Sequence, residues 1–336
     1  MPDLNRQWLL KRRPTGAVTR DDFDYVTSAI PEPGEGELLV RNLVISCDPT
    51  QRGWIAGDTY LPAVKIGEVV RSFAAGRVVA SKNARYKEGD LVQGLFGWQD
   101  YVIAAHGREA APGPVAPGVP LETAMSLLGM TGLTAYFGLF DIGKPQPGET
   151  VLVSGAAGAT GSVVGQLAKL HGCRTIGIAG GPAKCKMLVD ELGFDAAIDY
   201  KSERIGARLK ELAPKGVDVF FDNVGGEALD AALARLAMKG RIVLCGGISQ
   251  YDGDRSGGGP ANYLNLVVKR GRMEGFLILD YLKRAPEGVA FLAERLLAGK
   301  LKDRIDLKHG LENAPETLQR LFAGQNDGKQ LLRIAE

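Results

Sequence analysis

The sequence predicts an α/β protein in which a partly open β-barrel is followed by a doubly wound parallel sheet. First, residues 1–125 contain short strand candidates separated by turn signals, with no helical pattern of about 10 to 15 residues between them. Second, strands and helices alternate from residue 150 onward. Third, an apolar run, a glycine-rich turn and the start of a helical pattern follow one another in residues 150–161.

Length and composition fit two ordinary globular domains. The chain has 336 residues, 45% of them hydrophobic and 24% charged, and its formal net charge is +2. The near-neutral charge argues against nucleic acid or an anionic membrane as a partner, and no apolar run approaches the roughly 18 residues of a transmembrane helix. The N-terminal residues show no apolar signal segment and the four cysteines are scattered, so we expect reduced thiols and a cytoplasmic protein.

The first predicted domain comprises residues 1–125 and 303–336. Prolines and glycines in residues 31–36 mark a turn that leads into a strand. The predicted strands of this domain are residues 37–45, 67–72, 76–81, 91–94 and 99–104. Residues 305–334 have the pattern of a strand, a helix and a strand, and because they are too short for a domain of their own we expect them to join the first one.

The second predicted domain comprises residues 126–302, and helical patterns at residues 121–128 and 129–136 lead into it. The predicted strands are residues 150–154, 174–179, 196–199, 217–222, 240–245 and 272–279. The predicted helices are residues 161–171, 183–191, 205–213, 227–234, 263–269 and 286–298. This alternation predicts a parallel sheet with helices on both faces. Residues 252–260, after the fifth strand, are predicted to form a mobile loop.

The turn after the first of these strands has the composition of a dinucleotide-binding turn. Its small or hydroxyl-bearing residues are Gly155, Ala157, Gly158, Ala159, Thr160 and Gly161. Such residues let backbone N–H groups approach a pyrophosphate at the start of a helix. A βα turn that binds no nucleotide would also favour glycine, but the apolar strand before the turn and the helical pattern after it favour a cofactor site.

The turn after the second strand predicts NADP(H) rather than NAD(H). A site that prefers NAD carries an acidic residue about 20 residues after the glycine turn, and residues 179–184 contain none. Gly180 and Lys184 suit a 2′-phosphate instead, and the alternative is that Lys184 is a solvated residue at the start of a helix. Tyr200, after the third strand, is placed to pack against an adenosine phosphate.

The fourth and fifth strands end in further candidates, since ligands bind at the carboxyl ends of parallel strands. Asn223 follows the fourth strand. The fifth strand ends in Cys245, Gly246, Gly247 and Ile248, a segment whose backbone can approach a nicotinamide ring.

The sequence pattern does not favour metal or hydrolase chemistry. The three histidines, His106, His171 and His309, are not paired with cysteines at a spacing that zinc uses. No Gly-x-Ser-x-Gly elbow occurs in the sequence. We therefore expect chemistry without a metal ion.

Several motifs together resemble one enzyme family. They are residues 13–16 (RPTG), 46–49 (SCDP), 129–136 (GMTGLTAY), 221–226 (FDNVGG), 246–251 (GGISQY), 273–276 (MEGF) and 328–329 (GK). Over essentially its whole length the chain resembles the zinc-free branch of the medium-chain dehydrogenase/reductase superfamily, and within it the alkenal/one oxidoreductases, which include prostaglandin and curcumin reductases. The resemblance implies a GroES-like domain, a Rossmann domain, and a cleft between them that holds NADPH.

The resemblance also implies roles for individual residues. Lys184 and Tyr200 would contact the 2′-phosphate end of NADPH, and residues 158–161 would face its pyrophosphate. The rest of the cofactor path would be lined by Met130, Thr134, Asn223, Gly246, Ile248, Phe276, Ile278 and Asn326. Tyr251 occupies the position of the family tyrosine near the substrate carbonyl.

One departure from the family pattern concerns the substrate pocket. The family usually has Asp-Pro-Tyr-Met-Arg where residues 48–52 have Asp-Pro-Thr-Gln-Arg. Thr50 and Gln51 would therefore remove an aromatic wall from the expected pocket, which leaves the substrate open.

The function predicted from these features is NADPH-dependent reduction of the C=C bond of α,β-unsaturated ketones or aldehydes. Tyr251 is the candidate catalytic donor to the enolate oxygen, with solvent as the proton source, and the alternative is an exposed loop tyrosine. A quinone reductase of the same superfamily is one alternative function. A non-catalytic NADPH-binding or RNA-associated protein is another, although the near-neutral charge counts against RNA. The resemblance suggests a homodimer, with the sixth strand as a possible sheet-extending edge.

Overall fold

The structure is a computed structural model that describes residues 4–251 and 259–336. The described chain forms two compact units. Unit 1 comprises the residues up to Met125 together with Ile305–Asn326 and Gln330–Glu336, and unit 2 comprises Ser126–Arg304 and Asp327–Lys329. Most of the loop predicted at residues 252–260 lies outside the described residues.

Strands and helices alternate in unit 2, whereas strands dominate unit 1. The strands of the described chain are β1 (Asn5–Leu10), β2 (Phe23–Ser28), β3 (Leu38–Ser46), β4 (Ala74–Ser81), β5 (Leu91–Gly94), β6 (Tyr101–Ala104), β7 (Gly113–Pro114), β8 (Thr150–Val153), β9 (Arg174–Ala179), β10 (Ala196–Asp199), β11 (Val217–Asp222), β12 (Leu236–Leu244), β13 (Arg272–Gly275), β14 (Ile305–His309) and β15 (Lys329–Arg333). The α-helices are α1 (Thr50–Ala56), α2 (Leu121–Met125), α3 (Met130–Phe137), α4 (Ala159–Leu170), α5 (Pro182–Asp190), α6 (Ile205–Leu212), α7 (Gly226–Ala234), α8 (Asn265–Lys269), α9 (Ala285–Leu297) and α10 (Ala314–Phe322). None of the described helices has the length and apolarity that crossing a bilayer requires.

Unit 1 is organised around β3. Along one edge β3 pairs antiparallel with β4. Along the other edge two strands pair with it: β6 pairs with Leu38–Arg41 and β15 pairs with Val44–Ser46. The sheet order is β14-β15-β3-β4-β5-β7 with β6 on β3, and β1 and β2 form a separate antiparallel pair. Because β3 is covered on both edges and both faces, its sequence is almost continuously apolar and almost entirely buried.

One expectation for unit 1 was wrong. Residues 67–72 do not form a strand, because Gly67 adopts a left-handed turn conformation and only Val69 makes an isolated bridge, to Leu9. The segment instead follows β1 through single backbone bonds, such as that from the N–H of Val70 to the carbonyl of Trp8 at 3.0 Å. β1, β2 and the short helix α1 were not predicted from the sequence.

Unit 2 contains a six-stranded parallel sheet in the order β10-β9-β8-β11-β12-β13. The predictions for β9, β10 and β11 are confirmed to the residue. Since all six strands are parallel, their carboxyl ends lie at one edge of the sheet, with the order of strands reversing between β8 and β11. The predicted fold class is therefore confirmed, with a sheet unit and a doubly wound parallel-sheet unit.

The sixth strand is shorter than expected. β13 ends at Gly275, and Ile278–Arg284 form a 3₁₀ helix, so Ile278 lies in that helix and not in a strand. The chain turns at Phe276, whose ring packs over Gly138 beside Phe221. A Cβ at Gly138 would lie 2.7 Å from the Phe221 ring, so only glycine leaves room for these rings at the start of the π-helical segment Gly138–Gly143.

Candidate functional site

The glycine-rich turn connects β8 to α4 and has a conformation that depends on glycine. Gly155 has φ +57°, and its carbonyl accepts the N–H of Gly158 at 2.9 Å. Gly158 is the N-cap of α4. A Cβ at Gly161 would overlap the Gly155 carbonyl oxygen and lie 2.9 Å from Cα of Ala156, so Gly161 allows α4 to pack directly on the turn.

The open side of this turn can receive an anion. Gly158, Ala159 and Thr160 are partly exposed, whereas Ala157 is buried. The first N–H groups of an α-helix have no partner within the helix, and the helix dipole adds partial positive charge at the same end. A Cβ at Gly158 would lie 3.2 Å from the carbonyl oxygen of Gly155, so a side chain there would crowd the turn. Glycine leaves the start of α4 open to an anion.

The chain returns to this turn near its end. The N–H of Gly328 donates to the carbonyl of Ala157 at 3.0 Å, and Gly328 forms a parallel bridge with Gly158. Gly328 has φ +85°, and a Cβ there would overlap the carbonyl of Arg304. The Arg304 guanidinium pairs with Asp327 at 2.5 Å, so residues 327–329 are fixed against the back of the turn.

The ends of β9 and β10 place the predicted adenosine residues together. The ring of Tyr200, which is half exposed, lies over Gly180, where a Cβ would be 2.9 Å from the ring. Lys184 lies in the first turn of α5, which begins after Gly181. The carboxylate of Asp199 accepts the N–H of Gly181 at 2.7 Å, and this bond contributes most to holding the pKa of Asp199 below its usual value. Asp199 therefore shapes the turn.

The end of β11 places Asn223 beside the glycine turn. The side-chain amide of Asn223 donates to the carbonyl of Ser154 at 2.7 Å, and its N–H donates to the Ser154 hydroxyl at 2.9 Å. A Cβ at Gly155 would lie 3.5 Å from Cβ of Asn223. Two of the predicted cofactor residues, Gly155 and Asn223, are thus in neighbouring positions.

Tyr251 lies after a 3₁₀ turn, Ile248–Gln250, that follows the end of β12. Its hydroxyl oxygen accepts the N–H of Gly247 at 3.3 Å and lies 3.3 Å from where a Cβ on Gly246 would be. Tyr251 is only partly exposed, so its hydroxyl folds back on the predicted nicotinamide segment. Because the oxygen accepts a hydrogen bond there, the hydroxyl proton can be donated in another direction.

The thiol of Cys245 is unsuited to nucleophilic chemistry. Burial, with a smaller contribution from the nearby Asp222 carboxyl, raises the pKa of Cys245 to about 12. The thiolate is the reactive form of cysteine, and it is scarce at neutral pH at such a pKa. A role for Cys245 at the site would therefore be contact with the cofactor rather than nucleophilic attack.

The remaining predicted residues lie on other elements. Met130 and Thr134 are one turn apart on α3, and the Thr134 hydroxyl donates to the Met130 carbonyl at 2.7 Å. Phe276 and Ile278 follow β13 in unit 2, and Asn326 belongs to unit 1. The described residues contain no cluster of three or more His, Cys, Asp or Glu side chains that could hold a metal ion.

Thr50 and Gln51, where the chain departs from the family pattern, are both hydrogen-bonded within unit 1. Gln51 is fully buried, and its side chain accepts the N–H of Asp48 and donates to backbone carbonyls, so it supports α1 from inside. Thr50 is hydrogen-bonded to the hydroxyl of Tyr60 at 2.7 Å. Tyr60 is nearly half exposed, and it places an aromatic ring beside Thr50.

Three polar residues that shape the site were not predicted from the sequence: Ser154, Asp199 and Asp222. Each lies at or just after the end of a parallel strand. A polar residue at that position could have been recognised in the sequence as a site candidate, because ligands bind there. Ser154 was predicted only as the last residue of the strand at residues 150–154. The bond from Asp199 to the turn after the neighbouring strand depends on strand order, which the sequence does not state.

Comparison with protein-family models gives two matches. Residues 6–111 match a family described as the N-terminal domain of oxidoreductase, and residues 159–294 match one described as zinc-binding dehydrogenase. Together they cover much of both units.

Known proteins match over nearly the whole chain. The chain is 39% identical to an NADPH-dependent curcumin reductase of Escherichia coli (strain K12), over 98% of the chain and 97% of the relative. It is 37% identical to a 2-alkenal reductase (NADP(+)-dependent) of Nicotiana tabacum, over 98% of both. A crystal structure of CurA from Vibrio vulnificus in complex with NADPH is 40% identical, with a TM-score of 0.93 over 98% of this chain and 99% of that chain.

Proposed function

Because the chain belongs to the alkenal/one oxidoreductase group of the medium-chain dehydrogenase/reductase superfamily, we propose that it reduces the C=C bond of α,β-unsaturated ketones and aldehydes. The chain is an NADP-dependent oxidoreductase, and its cofactor is NADPH. The observation that carries the proposal is the hydroxyl of Tyr251, which lies on the predicted nicotinamide segment. NADPH-dependent conversion of an enone to the saturated ketone tests it.

The glycine turn and the adenosine residues are proposed to bind the cofactor. The first N–H groups of α4 and the open face of Gly158 would hold the pyrophosphate. Tyr200 would pack on the adenosine end, and Lys184 would pair with the 2′-phosphate. When NADPH is bound, it would supply the hydride for the β-carbon of the substrate. The parallel-sheet unit is thus proposed as the cofactor domain, with unit 1 as the substrate domain.

Tyr251 is proposed to act on the substrate oxygen. A reduced enone carries negative charge on its oxygen until the α-carbon is protonated, and a donor aimed at that oxygen lowers the barrier. The hydroxyl of Tyr251 already accepts a hydrogen bond from Gly247, so its proton is available for this role. Within unit 2, His171 is bonded to the carbonyl of Pro145, beyond the far end of α4, so we propose that solvent protonates the α-carbon.

We expect Lys184→Ala to reduce the preference for NADPH over NADH by about ten- to a hundredfold, because one charge-assisted hydrogen bond to the 2′-phosphate is lost. Cofactor affinities measured by titration check this. Lys186→Ala is the matched control, since Lys186 is paired with Asp190 on the exposed side of α5 and should not change the preference. An unmutated protein that binds both cofactors equally would contradict the assignment.

We also propose a cytoplasmic homodimer. All four cysteines are free, as a reducing compartment maintains them. β13 ends the described sheet order of unit 2, and α8, which precedes β13 in the chain and packs against β12, carries strongly exposed Val267 and Val268. An edge strand can pair antiparallel with its own copy, and these valines would be covered in that pairing. Val267→Lys with Val268→Lys should yield a monomer by light scattering, and a monomeric unmutated protein would contradict the proposal.

A further inference from the structure

The carboxyl group of Asp222 lies where two strand ends of unit 2 meet. Asp222 and Ser154 are both fully buried, at the ends of β11 and β8. Oδ1 of Asp222 accepts the Ser154 hydroxyl at 2.7 Å and the N–H groups of Val224 and Gly225 at 3.0 and 2.9 Å. Oδ2 accepts no hydrogen bond from any residue that the structure describes. One oxygen therefore makes all the hydrogen bonds of this side chain.

The network that starts at Asp222 reaches the candidate site residues. The Ser154 hydroxyl and carbonyl both bond to Asn223, at 2.9 and 2.7 Å. The carbonyl of Val224 accepts the hydroxyl of Ser249 at 2.6 Å and its N–H at 3.2 Å. Ser249 lies in the 3₁₀ turn before Tyr251, so this one loop connects the candidate cofactor and catalytic residues.

The backbone of Asp222 extends the connection to a third strand end. Its carbonyl accepts the N–H groups of Cys245 and Gly246 at 2.9 and 3.1 Å. Displacement of Asp222 would therefore disturb the ends of β8, β11 and β12 together.

The surroundings of Asp222 favour an uncharged carboxyl group that accepts hydrogen bonds over a charged carboxylate. Burial raises the pKa of Asp222 above its usual value despite the three hydrogen bonds to Oδ1. Asparagine has the same shape and keeps one acceptor oxygen, whereas leucine keeps the volume and removes the acceptor. These two substitutions separate hydrogen bonding from charge.

We propose that Asp222 is a positioning residue that acts as a hydrogen-bond acceptor. Together with Ser154 it holds the backbone of residues 223–225 in place, and this positions the Asn223 side chain and the turn before Tyr251 for NADPH binding. This inference rests on the proposed cofactor site. If the unmutated protein does not bind NADPH, the proposed cofactor site is wrong. If it does bind NADPH, the differences in NADPH affinity between the variants decide the role of Asp222.

The test measures NADPH affinity by titration calorimetry and thermal unfolding for Asp222→Asn and Asp222→Leu. We expect Asp222→Leu to weaken NADPH binding by about tenfold or more, because three buried donors lose their acceptor. Asp222→Asn should bind NADPH within about twofold of the unmutated protein, because it keeps the acceptor oxygen. Equal loss of affinity in both variants would overturn the proposal, since the charge would then be required.

Asp218 provides the matched control for general destabilisation. It lies on the same strand, and its carboxylate accepts the N–H of Thr150 at 2.9 Å near the opposite end. Asp218→Leu should lower the unfolding temperature and leave NADPH affinity unchanged. If it weakens NADPH binding as much as Asp222→Leu, then Asp222 is merely structural.

Ser154→Ala keeps the proposal testable if Asp222→Leu does not fold. It removes the hydroxyl that links Asp222 to Asn223. We expect about tenfold weaker NADPH binding in the folded variant, and unchanged affinity would overturn the proposal.

Discussion

Tyr251→Phe is expected to lower enone turnover about 100-fold and to leave NADPH affinity nearly unchanged. The hydroxyl of Tyr251 accepts a bond from Gly247, which leaves its proton for the substrate oxygen. That oxygen carries more charge in the transition state than in the bound ketone, so the lost donor acts mainly on turnover. Single-turnover rates with an enone, together with NADPH titration, measure the two quantities separately.

Tyr263→Phe is the control for this substitution, because Tyr263 is an exposed tyrosine on the surface of unit 2. It should reduce enones at the unmutated rate. Tyr251→Phe should impair quinone reduction less than enone reduction, since a quinone spreads the charge over a second carbonyl. If Tyr251→Phe reduces enones at the unmutated rate, the tyrosine is only a wall of the pocket.

Gly161→Ala is expected to weaken NADPH binding by more than about tenfold and to destabilise the fold by about 1–3 kcal/mol. The added methyl would overlap the carbonyl of Gly155, so either α4 or the glycine turn must shift. Both movements change the N–H groups proposed to face the pyrophosphate. Chemical denaturation and NADPH titration check the two effects.

Gly206→Ala is the control for Gly161→Ala, because it adds the same methyl group to a helix where there is room for it. Gly206 lies in α6, and nothing lies within 4 Å of a Cβ placed there. Alanine should stabilise this helix by up to about 1 kcal/mol and leave NADPH affinity unchanged. A Gly161→Ala protein with normal NADPH affinity would show that close packing of α4 on the turn is not needed for the site.

The strands of unit 2 could be predicted closely because buried parallel strands are short apolar runs with turn residues at each end. β9, β10 and β11 have this character. β2 was not predicted because its pattern is polar and mostly exposed, and it is held mainly by pairing with β1. Residues 67–72 have strand-like composition, but the left-handed turn at Gly67 and irregular bonding to β1 prevent a regular ladder.

The candidate site could be predicted only in part. Residue type and strand ends indicate Gly158, Lys184 and Asn223 as candidates, because glycine turns and cations can be recognised without a structure. The role of Asp222 depends on the hydroxyl of Ser154 and that of Asp199 on the N–H of Gly181, and each of these partners follows a neighbouring strand that is distant in sequence. Gly328 contacts the glycine turn at Ala157, which lies 171 positions earlier in the chain. Local sequence patterns do not reveal a contact between residues so far apart.

The most direct test of the proposed function traces the hydride with NADPH deuterated at the transferring position. A linear enone is incubated with the enzyme, with and without a strong chelator, and the product is analysed by NMR. We expect the saturated ketone with deuterium on the β-carbon, a solvent proton on the α-carbon, and the same rate in the presence of chelator. Deuterium on the carbinol carbon of an allylic alcohol, or turnover of quinones alone, would contradict C=C reduction.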